Sequence, residues 1–458
     1  MAGDILAALR AALGNDAVLT GDAIGPRYAC DATGVAPKLP LAVLRPRTTE
    51  EVSAALKTCN AHRAAVLPQG GLTGLAGAAT PLGGEIVLSL ERMAGIEEVD
   101  KAAATVTVRA GTPLQRVQEA AEEAGYMLGL DLGARGSAQI GGNIATNAGG
   151  IRVIRYGMAR EQVLGLEVVL ADGTVMTSLN KMLKNNAAYD LKHLFIGSEG
   201  TLGIVTRAVL RLHPRPAGIL TALCALPSYE AVVEFLRHAQ RTLGQVNAFE
   251  AMWNDAYRFV ADRRTDTPPM AVTHPFYVII EHAGTDLDAD AAIFESMLAD
   301  AHDKGLLIDV TIAQSEKQAR AMWVIREGVA EWEAVVGQIH LDVSMPIGTI
   351  GEFVEDCRGR LAARWPTLIP TFYGHIGDSN LHVSLAPGTD DAHVRHEAEQ
   401  TVYDTVRDFA GSISAEHGIG TLKREWLSYS RTPEEIALMH RLKTALDPNG
   451  ILNPGKVL

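Results

Sequence analysis

The sequence predicts an α+β fold built from more than one domain, and three observations lead to that prediction. From about residue 38 to 215, short apolar runs alternate with glycine-rich turns and a few helices. The segment HPRPAG, residues 213–218, interrupts this pattern with two prolines and a glycine. Strand and helix patterns then alternate to the end of the chain, whose 458 residues exceed the size at which a single hydrophobic core stops growing.

The first elements follow from the spacing of apolar residues. Between Ile5 and Leu13 these residues recur at helical intervals, which predicts a short amphipathic helix rather than a signal peptide. The segment 49–61 predicts a second helix with Thr49 as its N-cap, and the strand AAVLP follows it.

Beyond the proline-rich break, strands are predicted at 219–226 and 275–282, and helices at 229–240 and 290–305. Two strand–helix units of this kind predict an α/β sandwich with helices on one face of an antiparallel sheet. A mainly helical region ends in DPNGILNPGKVL. The predicted parts are therefore 1–215, 216–410 and 411–458.

Charge and cysteine content exclude several classes of function. The chain has 41 Lys plus Arg and 54 Asp plus Glu, a formal net charge of -13, which opposes general binding to nucleic acid or anionic lipid. Its four cysteines form no CxxC pair, so neither a disulfide framework nor a cysteine-rich zinc site is indicated. No apolar run approaches the roughly 18 residues that a membrane span needs. We therefore expect a cytoplasmic protein without a membrane span.

Three glycine-rich loops, residues 68–81, 133–157 and 195–206, have the composition of a phosphate-binding surface. Glycine permits positive φ angles and lets consecutive N–H groups converge on an anion. The first loop matches neither GxGxxG nor the P-loop pattern, so by itself it has a plain structural loop as an equal alternative. The second loop is rich in Gly, Asn, Ser and Thr, which suits the close approach of a phosphorylated ligand.

Together the three loops resemble the FAD-binding domain of the vanillyl-alcohol oxidase and para-cresol methylhydroxylase superfamily, and the resemblance extends to ILNPGK at the end of the chain. It implies a two-subdomain FAD-binding domain at 1–215, a substrate domain at 216–410, and a C-terminal segment that returns to the flavin. The residues implied to bind the cofactor are Pro68, Gly70, Gly71, Leu72, Thr73 and Gly74 in the first loop, Ser137, Gly141, Gly142, Asn143, Thr146 and Gly149 in the second, Glu199, Gly203 and Ile204 in the third, and Asn453 in the tail.

Leu72 bears on how the cofactor is held. Many covalent flavoproteins of this superfamily carry a histidine directly after the paired glycines, where it bonds to the flavin. A leucine side chain cannot form that bond. We therefore expect FAD to be bound noncovalently.

Two short segments carry candidate metal ligands. TFYGHIGDSNLHVSLAPG, residues 371–388, contains His375 and His382, and pairing of 371–375 with 381–385 as a hairpin brings both imidazoles to one side of a sheet. The alternative for this pair alone is two polar side chains on a solvated face. GSISAEHGIGTLKREWL places Glu416 and His417 at the end of a predicted strand. Two imidazoles and one carboxylate form a three-ligand set typical of catalytic zinc.

GHIGDSNLH and SAEHGIG resemble motifs of the FAD-linked D-2-hydroxyacid dehydrogenases, the group that contains D-lactate and D-2-hydroxyglutarate dehydrogenases and the glycolate oxidase large subunit. The resemblance implies His375, His382 and Glu416 as ligands of a divalent metal. Zinc is the expected metal, with manganese, iron and cobalt as alternatives. The resemblance further implies His417 as the base that takes the substrate hydroxyl proton, and Arg326 as the partner of the substrate carboxylate.

The exact acid stays open among D-2-hydroxyglutarate, D-malate and D-lactate. Where D-2-hydroxyglutarate dehydrogenases carry Thr, Lys and Asn, this chain has Ala330, His340 and Ser384. A glycolate-oxidising subunit or an oxygen-using oxidase is the enzymatic alternative, and a non-catalytic binding protein is the other. The expected electron acceptor is an electron-transfer flavoprotein, a quinone or a cytochrome, and a homodimer stays open as the assembly.

Overall fold

The computed structural model describes residues 2–264, 267–329 and 338–458. Ala330 lies outside these described residues. The chain divides into two compact units. The first comprises Met1–Gly150, Tyr156–Arg215 and Glu416–Leu458, and the second comprises Ile151–Arg155 and Pro216–Ala415. The domain limits drawn from the sequence stay predictions.

The strands are β1 Val18–Leu19, β2 Ala42–Leu44, β3 Val66–Gln69, β4 Ile86–Ser89, β5 Ile96–Asp100, β6 Thr105–Arg109, β7 Tyr126–Leu128, β8 Val163–Val169, β9 Val175–Ser178, β10 Ile204–Pro214, β11 Gly218–Leu226, β12 Val246–Trp253, β13 Phe276–Gly284, β14 Asp309–Ile312, β15 Ile339–Ser344, β16 Thr371–Gly374 and β17 Asn380–Leu385.

The α-helices are α1 Ala2–Leu13, α2 Thr49–Ala61, α3 Leu114–Glu123, α4 Ile140–Ala145, α5 Val153–Tyr156, α6 Ala159–Gln162, α7 Lys192–Phe195, α8 Tyr229–Leu243, α9 Asn254–Arg264, α10 Leu287–Asp303, α11 Glu316–Gly328, α12 Ile350–Arg364, α13 Ala392–Asp408, α14 Leu427–Ser430 and α15 Pro433–Leu446. Short 3₁₀ helices lie at Asn15–Ala17, Gly21–Ala23, Pro26–Ala29, Ile347–Thr349, Ile376–Asp378 and Arg424–Trp426. Within the described part of the chain, no helix combines the length and apolar character required to cross a bilayer.

Two sheets form the framework of the first unit. One has the strand order β1-β2-β4-β3, in which β1 is antiparallel to β2 and the other pairs are parallel. The other is antiparallel, with the order β5-β6-β10-β8-β9, and β7 pairs with the end of β10. Apolar side chains of both sheets, such as Leu44 and Val168, belong to one buried cluster. Because the first glycine-rich loop follows β3 and the third precedes β10, this core fixes the loop ends.

The second unit is built on an antiparallel sheet with the order β14-β11-β13-β12-β16-β17-β15. On one face, Phe249 of β12 meets Phe235 of α8 with ring centroids 5.7 Å apart. On the opposite face, Met252 and Tyr277 pack in a cluster with residues of α9 and α11. The predicted sandwich with helices on one face was therefore wrong in that detail, since helices cover both faces.

Two local predictions also differ from the structure. The N-cap of α2 is Thr48, whose hydroxyl accepts from the Glu51 N–H at 3.3 Å, whereas Thr49 is buried and donates to Glu167 at 2.6 Å. The strand predicted before Glu416 is reduced to one isolated bridge at Ser412. The Ser412 hydroxyl bonds to the backbone of residue 414, and such local bonds compete with strand formation.

Candidate active site

A cavity of about 400 Å³ lies within the first unit, where the three glycine-rich loops meet the C-terminal tail. The predicted cofactor residues on its wall are Pro68, Gly70, Gly71, Leu72, Thr73, Gly74, Gly141, Gly142, Asn143, Thr146, Gly149, Glu199, Gly203, Ile204 and Asn453. Glu416 and His417 lie on the same wall. The three loops, the tail and the proposed base therefore share one cavity.

Ser137 is not among the residues that line this cavity, and its contact with the flavin stays a prediction. Its carbonyl oxygen approaches Gly71 so closely that a Cβ atom there would lie 2.0 Å from it. Glycine is needed at 71 because the first and second loops pack backbone against backbone.

Four buried polar atoms on the cavity wall match the needs of a flavin. Gln69 Oε1, Gln139 Oε1, Asn143 Nδ2 and Asn453 Oδ1 have no hydrogen-bond partner among the described residues. Buried polar atoms in folded proteins are nearly always paired, so these atoms indicate a polar ligand. Three acceptors and one donor suit the N–H and carbonyl groups on the edge of an isoalloxazine ring. Gln139 was missed in the sequence analysis, although it lies in the second loop.

Non-glycine residues on this wall adopt left-handed backbone conformations. The φ angle is 60° at Leu72, 50° at Glu199 and 41° at Asn453. Each such residue costs about 1–3 kcal/mol and persists only where the surroundings impose it. One such residue in the first loop, one in the third and one in the tail are consistent with a backbone shaped for a ligand.

Glu199 joins the loop that carries Glu416 and His417 to the rest of this wall. Its carboxylate accepts hydrogen bonds from the N–H groups of Ile419 at 2.7 Å and Gly420 at 2.8 Å, and its carbonyl accepts one from Asn453 Nδ2 at 2.8 Å. Burial raises the pKa of Glu199, although the two N–H bonds oppose that shift. Its side chain thus has a structural task, while its backbone follows the cavity.

In the second unit, polar side chains form rows across one face of the sheet. Tyr373, His382 and Asp342 are paired in register across β16, β17 and β15. This pairing confirms the predicted hairpin. The rings of His375 and His382 lie with centroids 5.4 Å apart. Both imidazoles are therefore neighbours at one end of the hairpin.

A buried carboxylate organises this cluster. Glu250 of β12 accepts from His375 Nδ1 at 2.6 Å and from Arg326 Nε at 2.8 Å. The Arg326 guanidinium also lies over the Tyr373 ring, 4.8 Å from its centroid. Burial alone raises the pKa of Glu250, but His375 and Arg326 outweigh it and hold the pKa below its ordinary value. Sequence reasoning missed Glu250, although an acidic residue inside the apolar strand VNAFEAMW was an available signal.

The remaining predicted positions lie on the same sheet. His340 Nδ1 is 2.8 Å from Ser384 Oγ, and the two residues pair across β15 and β17. Of the proposed metal ligands and base, His375 and His382 belong to the second unit, and Glu416 and His417 belong to the first. The roles assigned to all of these side chains stay predictions.

Comparison with family models gives two matches. Residues 215–457 match the model described as FAD linked oxidases, C-terminal domain, and residues 40–178 match an FAD binding domain.

Curated relatives cover most of the chain. D-2-hydroxyglutarate dehydrogenase of Xanthomonas citri pv. viticola is 42% identical over 426 residues, which is 91% of this chain and 89% of the relative. The mitochondrial D-2-hydroxyglutarate dehydrogenase of Bos taurus is 40% identical over 91% of this chain and 76% of its own length. A mitochondrial protein of Schizosaccharomyces pombe, provisionally named a D-lactate dehydrogenase, is 39% identical over 90% of this chain and 81% of its own length.

Solved structures show the same fold at low identity. p-Cresol methylhydroxylase with bound substrate aligns with a TM-score of 0.77 and 18% identity, over 99% of this chain and 96% of that one. Alkyldihydroxyacetonephosphate synthase aligns with a TM-score of 0.78 and 16% identity, over 98% of this chain and 84% of that one. These likenesses establish the vanillyl-alcohol oxidase type of fold.

Proposed function

Because the chain belongs to the FAD-linked oxidase family and is an FAD-dependent D-2-hydroxyacid dehydrogenase, we propose that D-2-hydroxyglutarate is its substrate and that a divalent metal assists the reaction. D-Malate and D-lactate are the other candidate substrates. The observation that carries the proposal is the placement of Glu416 and His417 on the wall of the cavity that carries four buried polar atoms without a partner among the described residues.

The proposed roles follow from the chemistry of the side chains. When bound, FAD supplies a hydride acceptor and the metal supplies a Lewis acid. The substrate loses its hydroxyl proton to the imidazole of His417 and its α-hydrogen as a hydride, which leaves a 2-oxo acid. Arg326 binds the substrate carboxylate, because a guanidinium pairs with a carboxylate through two parallel N–H bonds.

The metal proposal rests on donor chemistry and on chain continuity. The second unit supplies the neighbouring imidazoles of His375 and His382. Ser414 Oγ donates to Asp342 at 3.2 Å, and Asp342 is paired with His382. Glu416 follows Ser414 by two residues, so their Cα atoms are at most about 7 Å apart along the chain. These relations support Glu416 as the third ligand, with zinc as the proposed metal.

FAD is proposed to be noncovalent, since Leu72 on the cavity wall offers no atom for a flavin bond. Precipitation of the protein with acid should release all of the yellow cofactor into the supernatant. Colour that stays with the precipitate would contradict this part of the proposal.

The main test is a screen of D and L enantiomers of 2-hydroxyglutarate, malate and lactate with an artificial acceptor, before and after chelation. We expect a D acid to reduce the acceptor. Activity should be lost when the metal is removed and should return on addition of Zn²⁺. Undiminished activity after confirmed metal loss would overturn metal assistance. Reduction by L acids alone would overturn the substrate class.

The rate of flavin reoxidation distinguishes the proposed dehydrogenase from the alternative, a glycolate-oxidising subunit or an oxygen-using oxidase. We propose slow reoxidation in air after anaerobic reduction, with an electron-transfer flavoprotein, a quinone or a cytochrome as the acceptor. Rapid reoxidation by O₂ would favour the oxidase. Cytoplasmic location and a homodimer also remain proposals, and several relatives are named as mitochondrial.

A further inference from the structure

Glu250 is a charged side chain in an unfavourable place. It lies inside β12, a strand whose residues are all buried, and only 1% of its surface is exposed. A buried carboxylate without partners costs several kcal/mol, so such a residue persists only with strong compensation. Here the compensation comes from Arg326 and His375, which lie 76 and 125 residues away along the chain.

The two contacts of the His375 ring determine its tautomer. An ionised carboxylate can only accept hydrogen bonds, so the ring must carry a proton on Nδ1, which lies 2.6 Å from Glu250 Oε1. A guanidinium can only donate, and Arg326 Nη2 lies 3.4 Å from His375 Nε2, so this long contact marks the lone pair that a bound metal would take over. In the neutral ring the lone pair therefore lies on Nε2. That is the form in which an imidazole binds a metal.

The same carboxylate also holds the arginine by its inner nitrogen. Glu250 Oε2 accepts from Arg326 Nε and uses none of the N–H groups on the two terminal nitrogens, one of which, on Nη2, makes the 3.4 Å contact with His375. With Nε bonded to Glu250, the two terminal nitrogens are the pair that can bind a carboxylate through two parallel N–H bonds. One buried residue therefore orients the proposed metal ligand and the proposed substrate anchor.

We propose that Glu250 is a positioning residue that fixes His375 for metal binding through Nε2 and Arg326 for binding of the substrate carboxylate. The inference rests on the proposed function, because it concerns the same metal and the same acid. In this proposal Glu250 contacts neither the metal nor the substrate, and it acts through His375 and Arg326.

A second buried carboxylate provides a matched control. Glu281 of β13 accepts from Trp323 at 2.7 Å, Asn247 at 3.1 Å and Thr221 at 3.2 Å. Trp323 lies on α11, the helix that also carries Arg326. Glu281→Gln therefore disturbs the same helix and the same sheet without changing the partner of His375.

The experiment compares Zn²⁺ affinity of the flavin-loaded enzyme and its Glu250→Gln, Glu250→Asp and Glu281→Gln variants, measured by competition with a chelator. Glutamine has one acceptor oxygen where glutamate has two, so it cannot serve both partners. We expect Glu250→Gln to bind Zn²⁺ about 10- to 100-fold more weakly, as for other residues that orient metal ligands, and to show a raised KM. Glu250→Asp should recover part of the affinity, and Glu281→Gln should bind Zn²⁺ as the unmodified enzyme does.

The outcomes separate this inference from the proposed function. Unmodified enzyme that binds no metal would overturn both. Metal-binding enzyme whose Glu250→Gln variant keeps full Zn²⁺ affinity and KM would overturn the inference alone, as would an equal loss in Glu281→Gln. If Glu250→Gln fails to fold, the same comparison is made with Glu250→Asp, and unchanged affinity there counts against the inference.

Discussion

The cavity of the first unit and the polar sheet face of the second are prepared from different chemical material. The cavity wall consists largely of glycine, small residues and backbone, some of it in left-handed conformations at Leu72 and Asn453. The sheet face consists of charged and aromatic side chains held by one another, with the buried Glu250 at their centre.

This difference predicts two kinds of sensitivity. Where its chains pack closely, a backbone wall tolerates a change of charge but not an added carbon atom, because such contacts leave no room for one. A network of buried charges tolerates small changes of volume but not the loss of one partner, which leaves another charge uncompensated. Substitutions in the two units should therefore fail for different reasons, and the following experiments test that distinction.

The largest effect is expected when the proposed base, rather than a packing contact, is removed from the cavity wall. His417→Asn should lower kcat by about 10²- to 10⁴-fold, the usual contribution of a general base, while FAD content stays unchanged. The measurement is steady-state kinetics beside the flavin absorbance of the purified protein. His440→Asn, on the exposed surface of α15, is the control. A full kcat in His417→Asn would remove this residue from the mechanism.

Next in size is the effect of the guanidinium. Arg326→Lys loses both the paired terminal N–H groups and the Nε bond to Glu250. Substrate binding should therefore weaken by about 1.5–3 kcal/mol, the value of a charged hydrogen bond, and KM should rise accordingly while metal content is retained. Arg358→Lys is a matched control, since Arg358 also pairs with a carboxylate, Asp255, and lies 4.7 Å from an aromatic centroid, that of Phe372. Equal changes of KM in both variants would show that Arg326 acts only in packing.

Sequence patterns predicted the parts of these sites that depend on short segments. Glycine loops and the His375–His382 hairpin are local, so composition and strand alternation were sufficient to find them. Glu250 was missed because its partners lie 76 and 125 residues away, and only the fold of the second unit brings them together. The Thr48 cap was missed because Thr49, its neighbour, suits the same position by residue type. Helices on both sheet faces depend on packing that no single segment encodes.

Two glycines on the cavity wall provide a sharper test of the backbone half of the comparison. A Cβ atom at Gly71 would meet the Ser137 carbonyl at 2.0 Å, whereas one at Gly142 meets no protein atom within 4 Å. Gly71→Ala should therefore lower the free energy of unfolding by about 1–3 kcal/mol, as overpacked sites do. Gly142→Ala should leave stability unchanged once FAD is removed and weaken only FAD binding. Thermal unfolding of cofactor-free protein and FAD titration measure the two effects, and equal destabilisation of both variants would contradict this reading.

The smallest effect concerns Glu199, a charged side chain with a structural task in the first unit. Because burial raises its pKa in the folded state, the folded protein holds its proton more tightly than the unfolded chain does. The stability gained in this way is full below the ordinary value of 4.5 and is lost as pH rises through the raised pKa. Each unit of the difference corresponds to about 1.4 kcal/mol. Glu199→Gln should remove this decline from the unfolding free energy measured against pH. Parallel pH profiles of the two proteins would show that the hydrogen bonds from Ile419 and Gly420 offset the burial of the carboxylate, and Glu199 would then belong with the uncharged backbone wall around it.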